Sequence, residues 1–169
     1  EIYRVLGDAS MQLKQYNVAV ESYERLTELQ PNVIRHWNIL ANLYSQLKQP
    51  AKAISIYLKI QELDSNNTQN WYFLGNNYSS LKKYDEAIDA YKKAITHYPQ
   101  NALAWNNLGF AYSELKQDDD AIKSYEQAIK LDPKSVAARN NLGNVYSRLQ
   151  RYDEAIDVYN KTLEIDSKY

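Results

Sequence analysis

The sequence has no cysteine, two histidines, four glycines and four prolines in 169 residues. Without cysteine there is neither a disulfide nor thiol chemistry, although that absence does not by itself set the compartment. No apolar run is long enough to span a bilayer, so no membrane insertion is expected. The start lacks a basic stretch followed by an apolar one, the mark of a signal segment. Neither sign of charge prevails: 20 basic and 21 acidic residues give a formal net charge of −1. A nucleic-acid partner is therefore not expected, because phosphate binding calls for a surplus of Lys and Arg on one face. His36 and His97 have no His, Cys or paired carboxylate at ligand spacing, and no metal or other cofactor is expected. The run Asp118-Asp119-Asp120 lacks the spaced oxygens and turn glycine of a calcium loop; it reads as the start of a helix, with Asp118 or Asp119 as its cap. No nucleophile and base can be matched, so the chain is not read as an enzyme. The triplets at Asn66, Asn77 and Asn160 fit the glycosylation pattern only because asparagine is abundant.

What the sequence does hold is a period. Apolar residues make up 44% of the chain, enough for a core, and tyrosine occurs 16 times. Gly75, Gly109 and Gly143 are 34 residues apart, Gly7 lies two periods before Gly75, and Ala41 fills the slot between. The same register holds for Leu6, Leu40, Leu74, Leu108 and Leu142, for Leu13, Leu47, Leu81, Leu115 and Leu149, and for Ala19, Ala53, Ala87, Ala121 and Ala155. Trp37, Trp71 and Trp105 share a column with Tyr3 and Arg139, and Pro31, Pro99 and Pro133 share one with Ser65 and Ser167. Twelve tyrosines fall into three columns, those of Tyr23, Tyr44 and Tyr16, and read as packing residues. The units are 1–33, 34–67, 68–101, 102–135 and 136–169, a single array. The pattern is already running at Glu1, which reads as a segment of a longer chain.

Each unit is a pair of helices. In the fourth, Trp105, Leu108, Gly109, Tyr112 and Leu115 form one stripe, and Ala121, Ile122, Tyr125, Ala128 and Ile129 another. Lys116, Gln117 and Asp118 make a short connection, and Pro133 marks the break before the next unit. Gly109 and Ala121 read as the point where the two helices touch, since a larger side chain would push them apart.

Trp105, Leu108, Gly109, Tyr112, Ala121, Tyr125, Ala128 and Pro133 resemble the tetratricopeptide-repeat signature, and Trp71, Leu74, Gly75, Tyr78, Ala87, Tyr91, Ala94 and Pro99 repeat it. The resemblance runs through all five units. It implies an all-α fold, a tetratricopeptide-type helix–turn–helix solenoid wound as a right-handed superhelix, whose first helices line a concave groove. It also implies a protein or peptide partner. The fifth unit departs from the signature with Arg139 and Thr162. The family closes its last repeat with an extra helix, and none follows here, so Tyr159, Leu163 and Ile165 are expected to be exposed. A homo-oligomer formed through terminal repeats is therefore an alternative, as is a substrate-recruiting accessory domain of a larger enzyme.

Subtracting the packing stripe from each first helix leaves a second stripe. Its candidate peptide-binding residues are Asn38, Asn42, Tyr72, Phe73, Asn76, Asn106, Asn107, Phe110, Asn140, Asn141 and Asn144. Asparagine is a mediocre helix former, so propensity does not account for its recurrence. Its amide both donates and accepts, which suits the backbone of an extended peptide, and the series resembles the asparagine ladders of some superhelical repeat proteins. Tyr72, Phe73 and Phe110, beside Ile39 and Leu103, break the polar pattern and read as an apolar contact point. Relatives that clamp the acidic C-termini of heat-shock chaperones place Lys and Arg where this chain has Asn38, Asn42, Phe73, Leu103 and Asn107, so a carboxylate clamp is not expected.

Overall fold

The structure is a computed structural model that describes residues 1–65 and 67–166. Asn66, which opens one of the glycosylation triplets, and Ser167 of the proline column lie outside the described residues. The described residues form ten helices and no strand. They are α1 (Ile2–Gln12), α2 (Tyr16–Leu29), α3 (Ile34–Gln46), α4 (Pro50–Leu63), α5 (Asn70–Ser80), α6 (Tyr84–His97), α7 (Ala102–Glu114), α8 (Asp118–Leu131), α9 (Val136–Arg148) and α10 (Tyr152–Asp166). The chain divides into two compact units, Glu1–Leu81 and Lys82–Tyr169. The first holds α1–α5, with α1 packed on α2 and α3 on α4; the second holds α6–α10, with α7 packed on α8 and α9 on α10. The expected all-α helix-pair fold is present, with pairs in the register that the columns set.

The cores of both units are built from those columns. Tyr23 and Tyr57 in the first unit, and Tyr91 and Tyr125 in the second, are each 1% exposed. Burying one such ring contributes about 1.5–3 kcal/mol from apolar area alone. The glycines are explained differently from the sequence reading. A Cβ at Gly109 would come within 2.8 Å of the Tyr125 ring, and one at Gly143 within 2.6 Å of the Tyr159 ring. Glycine thus makes room for the tyrosine 16 residues later, not for the alanine column, because the flat ring lies directly on the first helix. The tyrosine columns also divide. Those of Tyr23 and Tyr44 are core or near-core, but Tyr84 is half-buried and Tyr152 is exposed, so the third column is not a packing column.

The helix ends show where the repeat is punctuated. After α7, Gln117 N–H donates to the Tyr112 carbonyl at 2.9 Å and Lys116 N–H to that of Ser113 at 3.1 Å, the Schellman pattern that satisfies the last carbonyls. The pivot, Lys116, has φ of 59°, and Lys14, Lys48, Lys82 and Gln150 take the same left-handed conformation in the other units. The residue before α8 is Gln117 and makes no side-chain cap bond. The expected aspartate cap is therefore corrected: Asp118, Asp119 and Asp120 lie inside the first turn, where their charge favours the helix dipole. True side-chain caps occur one turn earlier in the repeat: Asn101 accepts from Ala104 N–H at 3.1 Å, and Ser135 from Ala138 N–H at 3.4 Å. Pro50, which replaces tyrosine in its column, sits in the first turn of α4, where no intrahelical donor is required.

Trp37 and Trp105 donate their indole N–H to the carbonyls of Pro31 and Pro99 at 2.8 and 2.9 Å. Arg139, the apparent exception, donates Nη2 to the Pro133 carbonyl at 2.9 Å. The column selects a donor that can reach back six residues, and a planar guanidinium meets that need.

Candidate functional site

None of the eleven candidate residues is buried. In the Glu1–Leu81 unit, α3 contributes Asn38 and Asn42, and α5 contributes Tyr72, Phe73 and Asn76. Asn42 is exposed and accepts the Tyr57 hydroxyl at 2.7 Å. Its oxygen is thereby held while the residue stays exposed. Burial pushes the Tyr57 hydroxyl up to about 12, so it remains a donor throughout the physiological range. Asp8 plays the same part for Tyr23 at 2.5 Å. Phe73 is 42% exposed, stacks parallel to Tyr57 at 6.2 Å and meets the edge of Tyr72 at 5.5 Å. The ring is thus braced from the core while one side faces solvent. Neighbouring Asn77, in a column otherwise filled by Ala9, Leu43, Ala111 and Val145, is buried. It donates to the Phe73 carbonyl at 2.8 Å and to Ser45 Oγ at 3.0 Å, which ties α5 to α3. The odd polar residue in an apolar column was the available sequence signal for it.

In the Lys82–Tyr169 unit, α7 contributes Asn106, Asn107 and Phe110, and α9 contributes Asn140, Asn141 and Asn144. The amides are linked: Asn141 Nδ2 donates to Asn106 Oδ1 at 3.1 Å, and Asn106 Nδ2 to Asn107 Oδ1 at 3.1 Å. Asn144 accepts the Tyr159 hydroxyl at 2.7 Å. Phe110 is 39% exposed and lies edge-on to Tyr84 at 6.2 Å; Tyr84 in turn donates to Glu114 at 2.9 Å. Asn140 is exposed. Ser113, three residues beyond Phe110 on the same face of α7, is buried and accepts Arg148 Nη2 at 3.0 Å, while Arg148 pairs with Asp118. Helical spacing alone could not show this, because the bonds join different repeats.

The stripe therefore offers amides, several of them held by hydrogen bonds, and aromatic rings braced by the buried Tyr57 and the half-buried Tyr84. Such a surface can bond a peptide backbone and cover an apolar side chain. Among the described residues no group of three or more His, Asp or Glu is placed to hold a metal ion. His36 is buried, and burial first, then Arg35 and Arg4, lower its pKa.

A family model described as tetratricopeptide repeat matches residues 100–168, and a second, described as TPR repeat, matches 75–116. Residues 12–94 match a model described as anaphase-promoting complex, cyclosome, subunit 3. No curated protein sequence matches the chain. Among solved structures it is similar to MamA, at 28% identity and TM-score 0.93, covering 96% of this chain and 95% of that one. MamA from Desulfovibrio magneticus RS-1 superposes with TM-score 0.95 at 20% identity over 99% and 94% of the two chains. YrrB, titled as a TPR protein with an unusual peptide-binding site, superposes with TM-score 0.84 at 17% identity over 99% and 86%. The last two likenesses concern the fold alone.

Proposed function

We propose that the chain is a tetratricopeptide-repeat protein acting as a protein-interaction scaffold, and that in each unit the stripe of its first helices binds an extended partner segment. In this reading Asn106, Asn107, Asn140, Asn141 and Asn144 in one unit, and Asn38, Asn42 and Asn76 in the other, engage the partner's backbone. Phe110, Tyr72 and Phe73 receive its apolar side chains. The observation that carries the reading is Phe110. Its column holds Asp8, Asn42 and Asn144 in other repeats, and each accepts the hydroxyl of that repeat's core tyrosine. Phenylalanine cannot accept, so Tyr125 has no acceptor at that position. A residue that forfeits a core hydrogen bond and leaves a large ring in water is accounted for by a ligand that covers the ring.

The test compares wild type with a variant carrying Asn76→Ala, Asn107→Ala and Phe110→Asn in affinity capture, with circular dichroism to confirm folding. A partner retained by wild type and bound about tenfold or more weakly by the variant supports the proposal. The same partners at the same affinity would refute it. Self-association is a second reading, favoured by Ile156 and Leu163, which are 57% and 64% exposed. Light scattering across concentration checks it: a mass that rises with concentration and falls back with Leu163→Lys is the expected result.

A further inference from the structure

The second helices carry a surface that the amide stripe does not use. In the Lys82–Tyr169 unit, α8 and α10 flank a trough of about 510 Å³ with Leu142, Tyr146 and Val158 in its floor. Its walls carry Glu126, Asp153, Glu154 and Asp157 against only Arg139 and Lys161. Glu154 and Asp157 are paired with Arg151 and Lys161, and Arg139 is committed to the Pro133 carbonyl. Glu126 and Asp153 have no ion-pair partner among the described residues. The trough shares no residue with the candidate stripe.

It is not an isolated dimple. The Glu1–Leu81 unit has a trough of about 550 Å³ that shares the columns of the floor, Leu40, Tyr44 and Ile56, and of Glu24, while the rest of its wall differs: Glu21, and Glu28 paired with Arg25. In each trough the floor tyrosine donates to the glutamate 20 residues earlier, Tyr44 to Glu24 and Tyr146 to Glu126, the latter at 3.5 Å. The bond holds the Glu24 carboxylate beside an apolar floor, and Glu126 lies beside its own floor at the outer limit of the same contact.

The chain itself supplies a precedent for the occupant. Where α6 meets α7 and α8, the column of Glu24 and Glu126 holds Lys92, whose Nζ lies 5.5 Å from the centroid of the Tyr112 ring. The Lys92 ammonium is stabilised there by Tyr112 first, then by Asp89 and Asp120. At that boundary the cation is built in. At the α8–α10 boundary the column is acidic, and the Tyr146 ring is already covered by Arg151 at 4.5 Å, so an incoming cation meets Glu126 and Asp153.

We propose that the α8–α10 trough is a second docking site, for a partner peptide that presents a lysine or arginine next to a leucine-sized side chain. The cation pairs with Glu126 and Asp153 while the apolar group covers Leu142 and Val158, a desolvated charge pair beside an apolar anchor.

The probe is a fluorescein-labelled amphipathic peptide of leucine and lysine, compared with a leucine–glutamate peptide and a serine–lysine peptide of equal length. Binding is read by anisotropy and by backbone amide shifts of the full chain. The leucine–lysine peptide binds saturably and shifts Leu142, Tyr146 and Val158. Glu126→Lys with Asp153→Asn weakens it about tenfold or more, Glu126→Gln with Asp153→Asn does so with a less drastic change, and Phe110→Asn leaves it unchanged. Equal affinity for both double variants, equal binding of the serine–lysine peptide, or shifts confined to Asn106, Asn107 and Asn141 would overturn the assignment.

Discussion

In the Lys82–Tyr169 unit the fourth repeat has Trp105, Phe110 and Tyr125 where the fifth has Arg139, Asn144 and Tyr159. The first pair differ in size, charge and polarity, yet each donates to a proline carbonyl at 2.9 Å. The second pair differ in function: Asn144 accepts the Tyr159 hydroxyl, and Phe110 has given up that bond for partial exposure. The third pair are the same residue in different surroundings, 1% exposed for Tyr125 and half-buried for Tyr159. A column thus constrains a physical task, not a residue type. Substitutions that keep the task are packing variants, and those that abandon it point to something outside the fold.

The largest expected effect tests the third pair. Tyr125→Ala opens a cavity between α7 and α8 and costs about 3–5 kcal/mol. Tyr159→Ala removes a ring that water already reaches and costs about half as much or less. Urea denaturation of both variants measures the gap; equal losses would mean that the two repeats are equally packed and the contrast is void.

The first pair gives a smaller effect with a sharper sign. Arg139→Leu keeps the apolar stem but leaves the Pro133 carbonyl without its donor, a cost of about 1 kcal/mol. Arg139→Trp restores the donor seen in the fourth repeat and removes the buried, unpartnered Nε of Arg139, so stability holds or rises. A tryptophan variant less stable than the leucine one would show that the guanidinium has a role of its own, and the trough it borders would be the place to look.

Most of the fold was legible because it repeats. A 34-residue register places Leu108, Ala121 and Tyr125 in a core without any coordinates. The candidate stripe followed by subtraction, and Asn42, Phe73 and Phe110 are accessible as helical spacing suggests. What escaped were interactions that cross from one column to another. Ser113 looks exposed on a helical projection and is buried under Arg148 from the next repeat. Asn42 and Asn144 looked like pure binding amides and turn out to be half engaged by core tyrosines. The trough of α8 and α10 needed three helices at once, and no single helix pattern carries it. The left-handed turn residue escaped for another reason: lysine there reads as an ordinary polar loop, because glycine is the usual signal.

That turn yields the smallest effect. Lys116 has φ of 59° and Gln117, the next residue, has φ of −87°. A side chain in the left-handed region brings Cβ close to its own backbone, at a cost of about 1–2 kcal/mol that glycine does not incur. Glycine, being freer in the unfolded chain, returns about 0.5–1 kcal/mol of that gain. Lys116→Gly is therefore expected to stabilise the protein by roughly 0.5 kcal/mol, whereas Gln117→Gly, at an ordinary φ, has only the entropic loss and destabilises it by a similar amount. The two substitutions are adjacent and both remove a flexible exposed side chain, so lost surface contacts cancel in the comparison. Thermal unfolding of the pair isolates the backbone contribution. If Lys116→Gly proves the less stable of the two, the lysine makes a contact that outweighs its strained backbone, and Lys14, Lys48 and Lys82, which share the conformation, would be held for the same reason.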